Sequence, residues 1–225
     1  MGVEKKLLHS LPKSNRNLHS REKTKTREVV KISQNFGYEY FDGDRKYGYG
    51  GYYYDGRWQS VAETLIQEYN LTPSMKVLDV GCAKGFLVKD LISALPGLQV
   101  FGIDVSNYAL MNCEPEVVGR LHLGNAKFLP FPNHSFDLVV SINTIHNLVR
   151  KDVKVALGEI QRVAKHSSYV VVDSYRNEFE KSIFDRWVLT AKFHGYPDDW
   201  KELFMEVGYT GDYSWTIINT DGDNE

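Results

Sequence analysis

The stretch VLDVGCAKGFL, residues 77–87, decides the fold of this chain. It begins with a short apolar run, continues through a turn that contains Gly81, Ala83 and Gly85, and ends in an amphipathic segment. Small residues in a strand-to-helix turn let the backbone approach a ligand closely, and the first turn of a helix offers unpaired N–H groups. The stretch therefore predicts a ligand-binding turn between a buried strand and a helix.

On both sides of this turn, apolar runs alternate with segments of helical periodicity. The predicted strands are residues 76–82, 99–105, 136–143 and 168–174, and the predicted helices are 57–69, 86–95, 152–165, 178–193 and 198–207. Asp152 is the expected N-cap of its helix, and residues 208–219 predict a final strand or a very short hairpin. The alternation predicts a Rossmann-like, doubly wound α/β fold with a mainly parallel sheet of six to seven strands flanked by helices.

Charge is distributed unevenly along the 225 residues. Residues 1–31 carry nine Lys or Arg and three Glu, whereas the remainder carries eighteen basic and twenty-six acidic residues. Residues 1–35 are therefore interpreted as a basic, mobile arm, which is either a solvated tail or a segment that binds nucleic acid or a membrane surface. A body with net charge −8 argues against nucleic acid as the partner.

Several classes of protein are disfavoured by composition. No apolar run is long enough to span a membrane, and residues 1–10 lack the pattern of a signal peptide, so a cytoplasmic location is expected. Cys82 and Cys113 have neither CxxC spacing nor histidines at metal-ligand intervals, so no metal is expected. The expected partner is a small-molecule substrate, and the chain is expected to be a monomer or a homodimer.

A segment rich in tyrosine and glycine, FGYEYFDGDRKYGYGGYYYDGRW, occupies residues 36–58. Aromatic rings in this number stabilise by packing, so residues 36–57 predict a folded lid over a substrate, or alternatively a structural cap or dimer contact. The candidate substrate-binding residues in this segment are Arg45, Tyr47, Tyr49 and Arg57. Its arginines favour an anionic or phosphorylated substrate.

The spacing of the glycine-rich turn distinguishes between two classes of cofactor. A dinucleotide fingerprint, GxGxxG counted from Gly81, would need glycine at position 86, where Phe86 stands. The pattern GxAxG instead resembles motif I of class I methyltransferases, DxGxGxG, with alanine at the middle glycine. GNAKFLPFPNHSFDLVVSINTIHNL, residues 124–148, is similar to the pattern GDAxxLPFxDxSFDLVxxxxxLHH of the same family.

This resemblance extends over about residues 58–215, and residues 58–225 are identified as a methyltransferase domain of the methyltransferase-11 type. It implies that the cofactor is S-adenosyl-L-methionine, that the product is S-adenosyl-L-homocysteine and that no metal takes part. The family usually ends its sheet in a hairpin of two strands. Only one strand's length of sequence remains after Gly208, so the sheet edge is expected to be trimmed or completed by another element.

The resemblance also assigns cofactor contacts. Asp104 ends the second predicted strand, where its carboxylate can accept hydrogen bonds from both ribose hydroxyls, although it could also cap the next helix. By the resemblance, Asn125 and Ala126 meet the adenine, and Asp79 and Asn143 lie near the methionine portion. The predicted cofactor-binding residues are Asp79, Gly81, Ala83, Gly85, Asp104, Val105, Asn125, Ala126 and Asn143.

Candidate catalytic residues follow the fourth and fifth predicted strands. His146 is suited to accept a proton at neutral pH, or it stacks on the cofactor or bonds the backbone. Asp173 is the second catalytic candidate, with a structural ion pair or helix cap as the alternative. Tyr175 and Arg176 follow it at the same edge and are candidate substrate contacts.

The acceptor is the least defined part of the prediction. The sequence is similar to small bacterial methyltransferases linked to surface-polysaccharide modification, which implies O-methylation of a sugar or phosphoryl-containing acceptor. No NPPY-like tetrapeptide follows the fourth strand, which counts against base N-methylation. Two alternatives stay open: a degenerate methyltransferase-fold binding subunit, and an RNA or protein methyltransferase that docks through the basic arm.

Overall fold

The structure, a computed structural model, describes residues 2–12 and 18–218. Within these ranges, six strands form one sheet in the order β3-β2-β1-β4-β5-β6, and every neighbouring pair is parallel. The strands are β1 (Lys76–Val80), β2 (Gln99–Asp104), β3 (Leu121–Leu123), β4 (Phe136–Ile142), β5 (Ala164–Ser174) and β6 (Asp212–Ile217). This architecture confirms the predicted Rossmann-like α/β fold.

Helices cover both faces of the sheet. In chain order they are α1 (Leu18–Thr24), α2 (Arg27–Ser33), α3 (Tyr38–Phe41), α4 (Gln59–Glu68), α5 (Phe86–Ala94), α6 (Asn107–Met111), α7 (Arg150–Val163), α8 (Glu178–Trp187) and α9 (Pro197–Glu206). Short 3-10 turns lie at Pro115–Val117 and Ile145–Asn147. None of the helices in the described ranges has the length and apolar character needed to cross a bilayer.

The apolar strands supply two separate cores because successive side chains of a strand point to opposite faces. On β1, Val77 packs with the buried residues of α4 and α5, whereas Leu78 packs with those of α7 and α9. On β4, Val140 and Val139 divide between the two cores in the same way. Burial on both faces explains why these strands read as continuous apolar runs.

Three predicted boundaries were wrong. Asp152 is not the N-cap of α7, because Val149 holds that position and the Asp152 N–H already donates to the Val149 carbonyl oxygen at 2.8 Å. The helix predicted over 178–193 ends at Trp187. Strand β5, predicted over 168–174, begins at Ala164. The C-terminal segment confirms the first of its two predicted alternatives, a final strand, which pairs parallel to β5, and Asn219 lies outside the described residues.

The free edge of β6 is completed by the N-terminal segment. The backbone N–H of Lys5 donates to the Tyr213 carbonyl oxygen at 2.9 Å, and the N–H of Tyr213 donates to the Val3 carbonyl oxygen at 3.1 Å. Lys5 also forms an ion pair with Asp212 at 2.7 Å, and Leu7 is buried in the core beneath α4. The expected hairpin partner is thus replaced by residues from the opposite end of the chain.

The segment predicted as a mobile arm makes further contacts with the domain in its described part. Helix α1 packs against α8, and Val29 and Ser33 of α2 are buried. Both helices were missed in the sequence, because seven residues give two turns and too few repeats to show a period. Residues 13–17 of the predicted arm lie outside the described residues, and the domain boundaries at 35 and 57 stay predictions.

Candidate active site

The glycine-rich turn joins β1 to α5 with a backbone that two of its glycines make possible. Gly81 has φ +88°, and a Cβ added there would lie 2.0 Å from Oγ1 of Thr144. Gly85, the N-cap of α5, has φ +78°, and a Cβ there would lie 2.9 Å from Leu121 Cδ1 and Val117 Cγ2. Both the left-handed conformation and the close packing therefore require glycine.

Ala83 adopts a left-handed conformation as well, with φ +48°. It stands where the similar motif has glycine, and the left-handed conformation, which favours glycine, strains the alanine Cβ. We expect Ala83→Gly to raise the free energy of unfolding by about 0.5–1 kcal/mol, because relief of strain exceeds the added entropy of the unfolded chain. Urea unfolding of the purified variant measures this change.

Ala94→Gly provides the matched control for this prediction. Ala94 lies at the exposed end of α5, and glycine there should lower the free energy of unfolding by up to about 1 kcal/mol. A loss of stability in Ala83→Gly as large as that in the control would contradict the strain assigned to position 83.

Asp104, at the end of β2, faces the turn and is fixed by it. One carboxylate oxygen accepts the Ala83 N–H at 2.8 Å, and the other accepts the Ser106 N–H at 2.8 Å. The helix cap considered for Asp104 is provided instead by Ser106, whose hydroxyl oxygen accepts the Ala109 N–H at the start of α6. Burial raises the pKa of Asp104, and its backbone hydrogen bonds oppose that shift.

Asp79, on β1, carries a buried carboxyl that makes neither a hydrogen bond nor an ion pair within the described residues. The residue is 5% exposed. Burial, followed by the charge of Asp104, raises the pKa of Asp79 to about 7. Since a buried carboxylate without a partner is costly, this group favours a cationic or hydrogen-bond-donating ligand beside it.

The raised pKa of Asp79 makes stability dependent on pH. Between the unfolded carboxyl pKa of about 3.9 and the folded value of about 7, the folded chain holds a proton at Asp79 that the unfolded chain has lost. The contribution of Asp79 to the free energy of unfolding therefore falls as pH rises through that window. Asp79→Asn removes this loss of stability, because the amide does not ionise. Its stability relative to wild type should rise by on the order of 1.4 kcal/mol per pH unit at most across the window, then level off.

Urea unfolding between pH 4.5 and 8 tests this prediction without any ligand. Asp198→Asn serves as the control, because Asp198 is an exposed carboxylate in the first turn of α9. Curves for Asp79→Asn and wild type that stay parallel across the whole range would contradict the assigned proton.

A cavity of about 390 Å³ opens at the carboxyl ends of β1, β2 and β4. Eight of the nine predicted cofactor-binding residues line it: Asp79, Gly81, Ala83, Asp104, Val105, Asn125, Ala126 and Asn143. Gly85 does not line the cavity but shapes it from the start of α5. The volume is within the range of about 300–1,000 Å³ that is typical of ligand sites.

The Tyr/Gly-rich segment forms the opposite wall of this cavity. The wall residues from this segment are Phe36, Tyr40, Phe41, Tyr49 and Tyr52. Tyr52 stacks on Phe86 of α5, with 4.7 Å between the ring centroids, and Tyr49 lies 4.3 Å from Tyr52 by the same measure. In the structure the segment is a folded cap, whose aromatic rings face the glycine-rich turn.

Asp42 anchors this cap to the turn. Its carboxylate accepts a hydrogen bond from Lys84 Nζ at 2.7 Å, from the Tyr108 hydroxyl at 2.7 Å and from the Tyr52 N–H at 3.0 Å. The side chains of Lys84 and Asp42 are only 7% and 11% exposed, so the ion pair is shielded from solvent. These bonds hold the pKa of Asp42 below its usual value against the opposing effect of burial.

A second cavity, of about 210 Å³, adjoins the first and shares Tyr40, Tyr49 and Asn143 with it. Besides Asn143, four residues predicted to act in catalysis or substrate binding line this second cavity: Arg45, Tyr49, His146 and Asp173. Arg21, Trp187, Thr190 and Thr216 line it as well and were not predicted. The side chain of Tyr49 borders both cavities, which accounts for its exposure to solvent.

His146 and Asp173 face each other in the wall of the second cavity. The Asp173 N–H donates to Nδ1 of His146 at 3.0 Å, so the ring proton lies on Nε2, which is 3.4 Å from Asp173 Oδ2. Burial lowers the pKa of His146, which favours the neutral ring. Both ring nitrogens are therefore directed at Asp173, whose carboxylate is more exposed than the imidazole.

Four predicted substrate contacts line neither cavity: Tyr47, Arg57, Tyr175 and Arg176. Arg57 is bonded to Asp55, and Arg176 to Glu180. Tyr175 is buried under α8 and packs edge-on against Tyr196. Position after β5 did not determine where the side chains of Tyr175 and Arg176 point, and membership of the Tyr/Gly-rich segment did not place Tyr47 and Arg57 at a cavity.

Arg21 is the main cavity residue that sequence reasoning missed. It belongs to α1, in the segment interpreted as an arm, and reaches the second cavity by packing across Trp187 of α8. The sequence gives no signal for this contact, because α1 and α8 are more than 150 residues apart along the chain.

Comparison with known proteins finds a family match in the middle of the chain. Residues 78–172 match the family model described as a methyltransferase domain. The chain is 36% identical over 89 residues to the arginine-hydroxylase NDUFAF5 of Rattus norvegicus, which is 39% of this chain and 25% of that protein. It is 25% identical over 204 residues to demethylmenaquinone methyltransferase of Symbiobacterium thermophilum, which is 73% of this chain and 80% of that protein.

A solved structure extends the likeness beyond the matched segment. The structure of an S-adenosylmethionine-dependent methyltransferase from Aquifex aeolicus superimposes with a TM-score of 0.50 at 16% identity, over 86% of this chain and 89% of that one. Identity at this level shows the fold alone. The chain spans a quarter of the length of the NDUFAF5 relative, whose name describes an arginine hydroxylase rather than a methyltransferase. Residues 78–172 are similar to a methyltransferase domain and lie within a sheet of Rossmann-like architecture.

Proposed function

We propose that this protein is an S-adenosylmethionine-dependent methyltransferase that transfers a methyl group in line to a small polar acceptor. The observation that carries the proposal is the junction of the two cavities at Tyr49 and Asn143. One cavity is lined by the predicted cofactor residues. The other contains the polar pair His146 and Asp173, so a donor and an acceptor could meet at the shared wall.

The residues of the first cavity fit this cofactor. Asp104 would accept the ribose hydroxyls, since each of its oxygens uses only one lone pair for the backbone. Asn125 and Ala126 would meet the adenine. The side-chain oxygen of Asn125 accepts the Lys127 N–H at 3.0 Å, which fixes its orientation and leaves a second lone pair. When bound, the cofactor supplies a methyl group attached to a sulfonium, and the sulfur is an excellent leaving group.

Asp79 supports a cationic ligand in the same cavity. Its carboxyl lacks a partner among the described groups and would pair with the positively charged amino end of the cofactor, with Asn143 nearby. A favourable ion pair would lower the pKa of Asp79 from its value of about 7.

The chain's contribution to the reaction is alignment and removal of a proton. Alignment of two reactants in a closed site can supply about 7–11 kcal/mol of a barrier. Asp173 would take the proton of the acceptor hydroxyl, because its carboxylate is the more exposed member of the pair. His146 would act as a positioning residue that holds the Asp173 carboxylate through Nε2–H.

The acceptor is proposed to be a hydroxyl compound, so O-methylation is favoured. Arg21, Thr190 and Thr216 give the second cavity a polar wall suited to a sugar or a phosphoryl-containing molecule. The relatives' names give no support to polysaccharide modification, and the name demethylmenaquinone methyltransferase makes a quinone the second candidate acceptor. A binding subunit without activity, or an enzyme that docks RNA or protein through its N-terminal segment, remain the alternatives to test against.

Calorimetric titration with S-adenosylmethionine, S-adenosylhomocysteine and NAD tests the cofactor. We expect micromolar binding of the first two and none of NAD. Absence of binding would overturn the proposal. Formation of S-adenosylhomocysteine in the presence of sugar, phosphoryl and quinol acceptors would separate an enzyme from a binding subunit, which binds without turnover.

A further inference from the structure

Two arginines lie together in the wall of the second cavity. Arg21 is only 6% exposed, and its guanidinium donates to the carbonyl oxygens of Lys46 at 2.8 Å and Gly48 at 3.3 Å. Arg45 is more exposed and also donates to the Gly48 carbonyl oxygen. Both guanidinium groups lie over the ring of Trp187, at 4.8 Å and 5.5 Å from its centroid.

Neither arginine is neutralised within the part of the chain that the structure describes. No carboxylate there forms an ion pair with Arg21 or Arg45, and the side chains of both arginines donate to backbone carbonyl oxygens. Burial, together with the neighbouring charge of Arg45, lowers the pKa of Arg21 to about 10. Arg162, by contrast, is paired with Glu159.

A buried cation such as Arg21 is costly without a counter-ion, and the charge of the more exposed Arg45 beside it adds to that cost. The cost is removed when an anion enters the cavity. A guanidinium has five N–H donors in a fixed fork, of which the backbone carbonyls take two from Arg21. The remaining donors are the kind that hold a carboxylate or a phosphate in a bidentate way.

We propose that Arg21 and Arg45 bind an anionic oxygen group, a carboxylate or a phosphate, carried by the methyl acceptor. This inference rests on the proposed function, because it makes the second cavity the acceptor site. Both guanidinium groups lie within cation–π distance of the Trp187 ring, which favours their position beside each other. Asp173 and Asn143 line the same cavity and, with Tyr49, lead to the cofactor cavity.

The acceptor is thereby defined by two groups at opposite ends. Its anionic group meets the arginines, and its hydroxyl meets Asp173 beside the cofactor cavity. An acceptor with only one of these groups would be held at one end and poorly aligned. The N-terminal helix α1 accordingly supplies a specificity residue, although the sequence suggested a solvated tail.

Binding of inorganic phosphate and of acetate to the protein saturated with S-adenosylhomocysteine tests the anion site. Titration is followed by phosphorus or carbon NMR at constant ionic strength. We expect Arg45→Met to weaken anion binding at least ten-fold and Arg21→Lys, which keeps the charge but loses the fork, to weaken it less. Arg150→Met is the control, because Arg150 is an exposed arginine bonded to Glu206.

The two anions distinguish the possible acceptors. Tighter binding of phosphate assigns a phosphoryl group, and tighter binding of acetate assigns a carboxylate. Anion binding that is absent in wild type, or equal in Arg45→Met and wild type, would overturn the inference. Affinity for S-adenosylhomocysteine, measured on the same samples, should be unchanged in Arg45→Met. If that cofactor fails to bind while phosphate binds through Arg45, the proposed function fails and the anion site stands.

Discussion

Asp104→Ala is expected to weaken the binding of S-adenosylmethionine at least 100-fold. The variant loses two hydrogen bonds from the ribose hydroxyls to a carboxylate, and bonds to charged groups are worth about 1.5–3 kcal/mol each. It also leaves the N–H groups of Ala83 and Ser106 without their acceptor, which loosens the turn that shapes the cavity. Both effects act in the same direction.

Isothermal titration with the variant, wild type and Asp198→Ala measures this loss. Asp198 lies in the first turn of α9, and its replacement should leave cofactor affinity unchanged. Urea unfolding of each protein shows whether the variant is folded under the conditions of the titration. A dissociation constant for Asp104→Ala within three-fold of wild type would remove Asp104 from the cofactor site.

Asp173→Asn is expected to lower the rate of methyl transfer by about 10²–10⁴-fold, the usual contribution of a general base. An amide keeps the size of the side chain but cannot take the acceptor's proton. Asp173 lines the second cavity and not the first, so cofactor affinity should stay at the wild-type value. Formation of S-adenosylhomocysteine from S-adenosylmethionine, with an acceptor found by screening, measures the rate.

His146→Asn tests the division of roles between the two residues. The asparagine side chain can still accept the Asp173 N–H, but it loses the donor that faces the carboxylate. We expect a loss of about ten-fold, within what one misaligned hydrogen bond costs, and a shifted pH profile of kcat. A wild-type rate in Asp173→Asn together with a loss above 100-fold in His146→Asn would return the role of base to His146.

Features that a short local stretch of sequence determines were predictable. The apolar runs of β1 and β4 are continuous because helices cover both faces, and such runs are visible without knowledge of the fold. Most of the residues predicted to bind a cofactor lie at the ends of these runs, and the ends of adjacent parallel strands meet at one edge. Eight of the nine predicted residues accordingly line one cavity.

Features that depend on contacts between distant segments were not predictable. β3 has three residues and α1 has two turns, so neither shows a period. Tyr175 and Asp173 are two residues apart, yet one is buried under α8 and the other faces the second cavity. Such choices are made by tertiary packing rather than by the local sequence.

The two departures from the family motifs leave the local geometry intact. Ala83 adopts a left-handed conformation that favours glycine, with φ +48°. Asn125 keeps an oxygen oriented by the Lys127 N–H. These observations support an active cofactor site over a degenerate one, although the charge of an aspartate at position 125 is lost.

A crystal structure of the protein with S-adenosylhomocysteine tests the central proposal most directly. We expect the ribose hydroxyls to contact Asp104 and the adenine to lie beside Asn125. The sulfur should lie at the junction of the two cavities and face Asp173. Density for the ligand elsewhere, or with its sulfur turned away from the second cavity, would contradict the account.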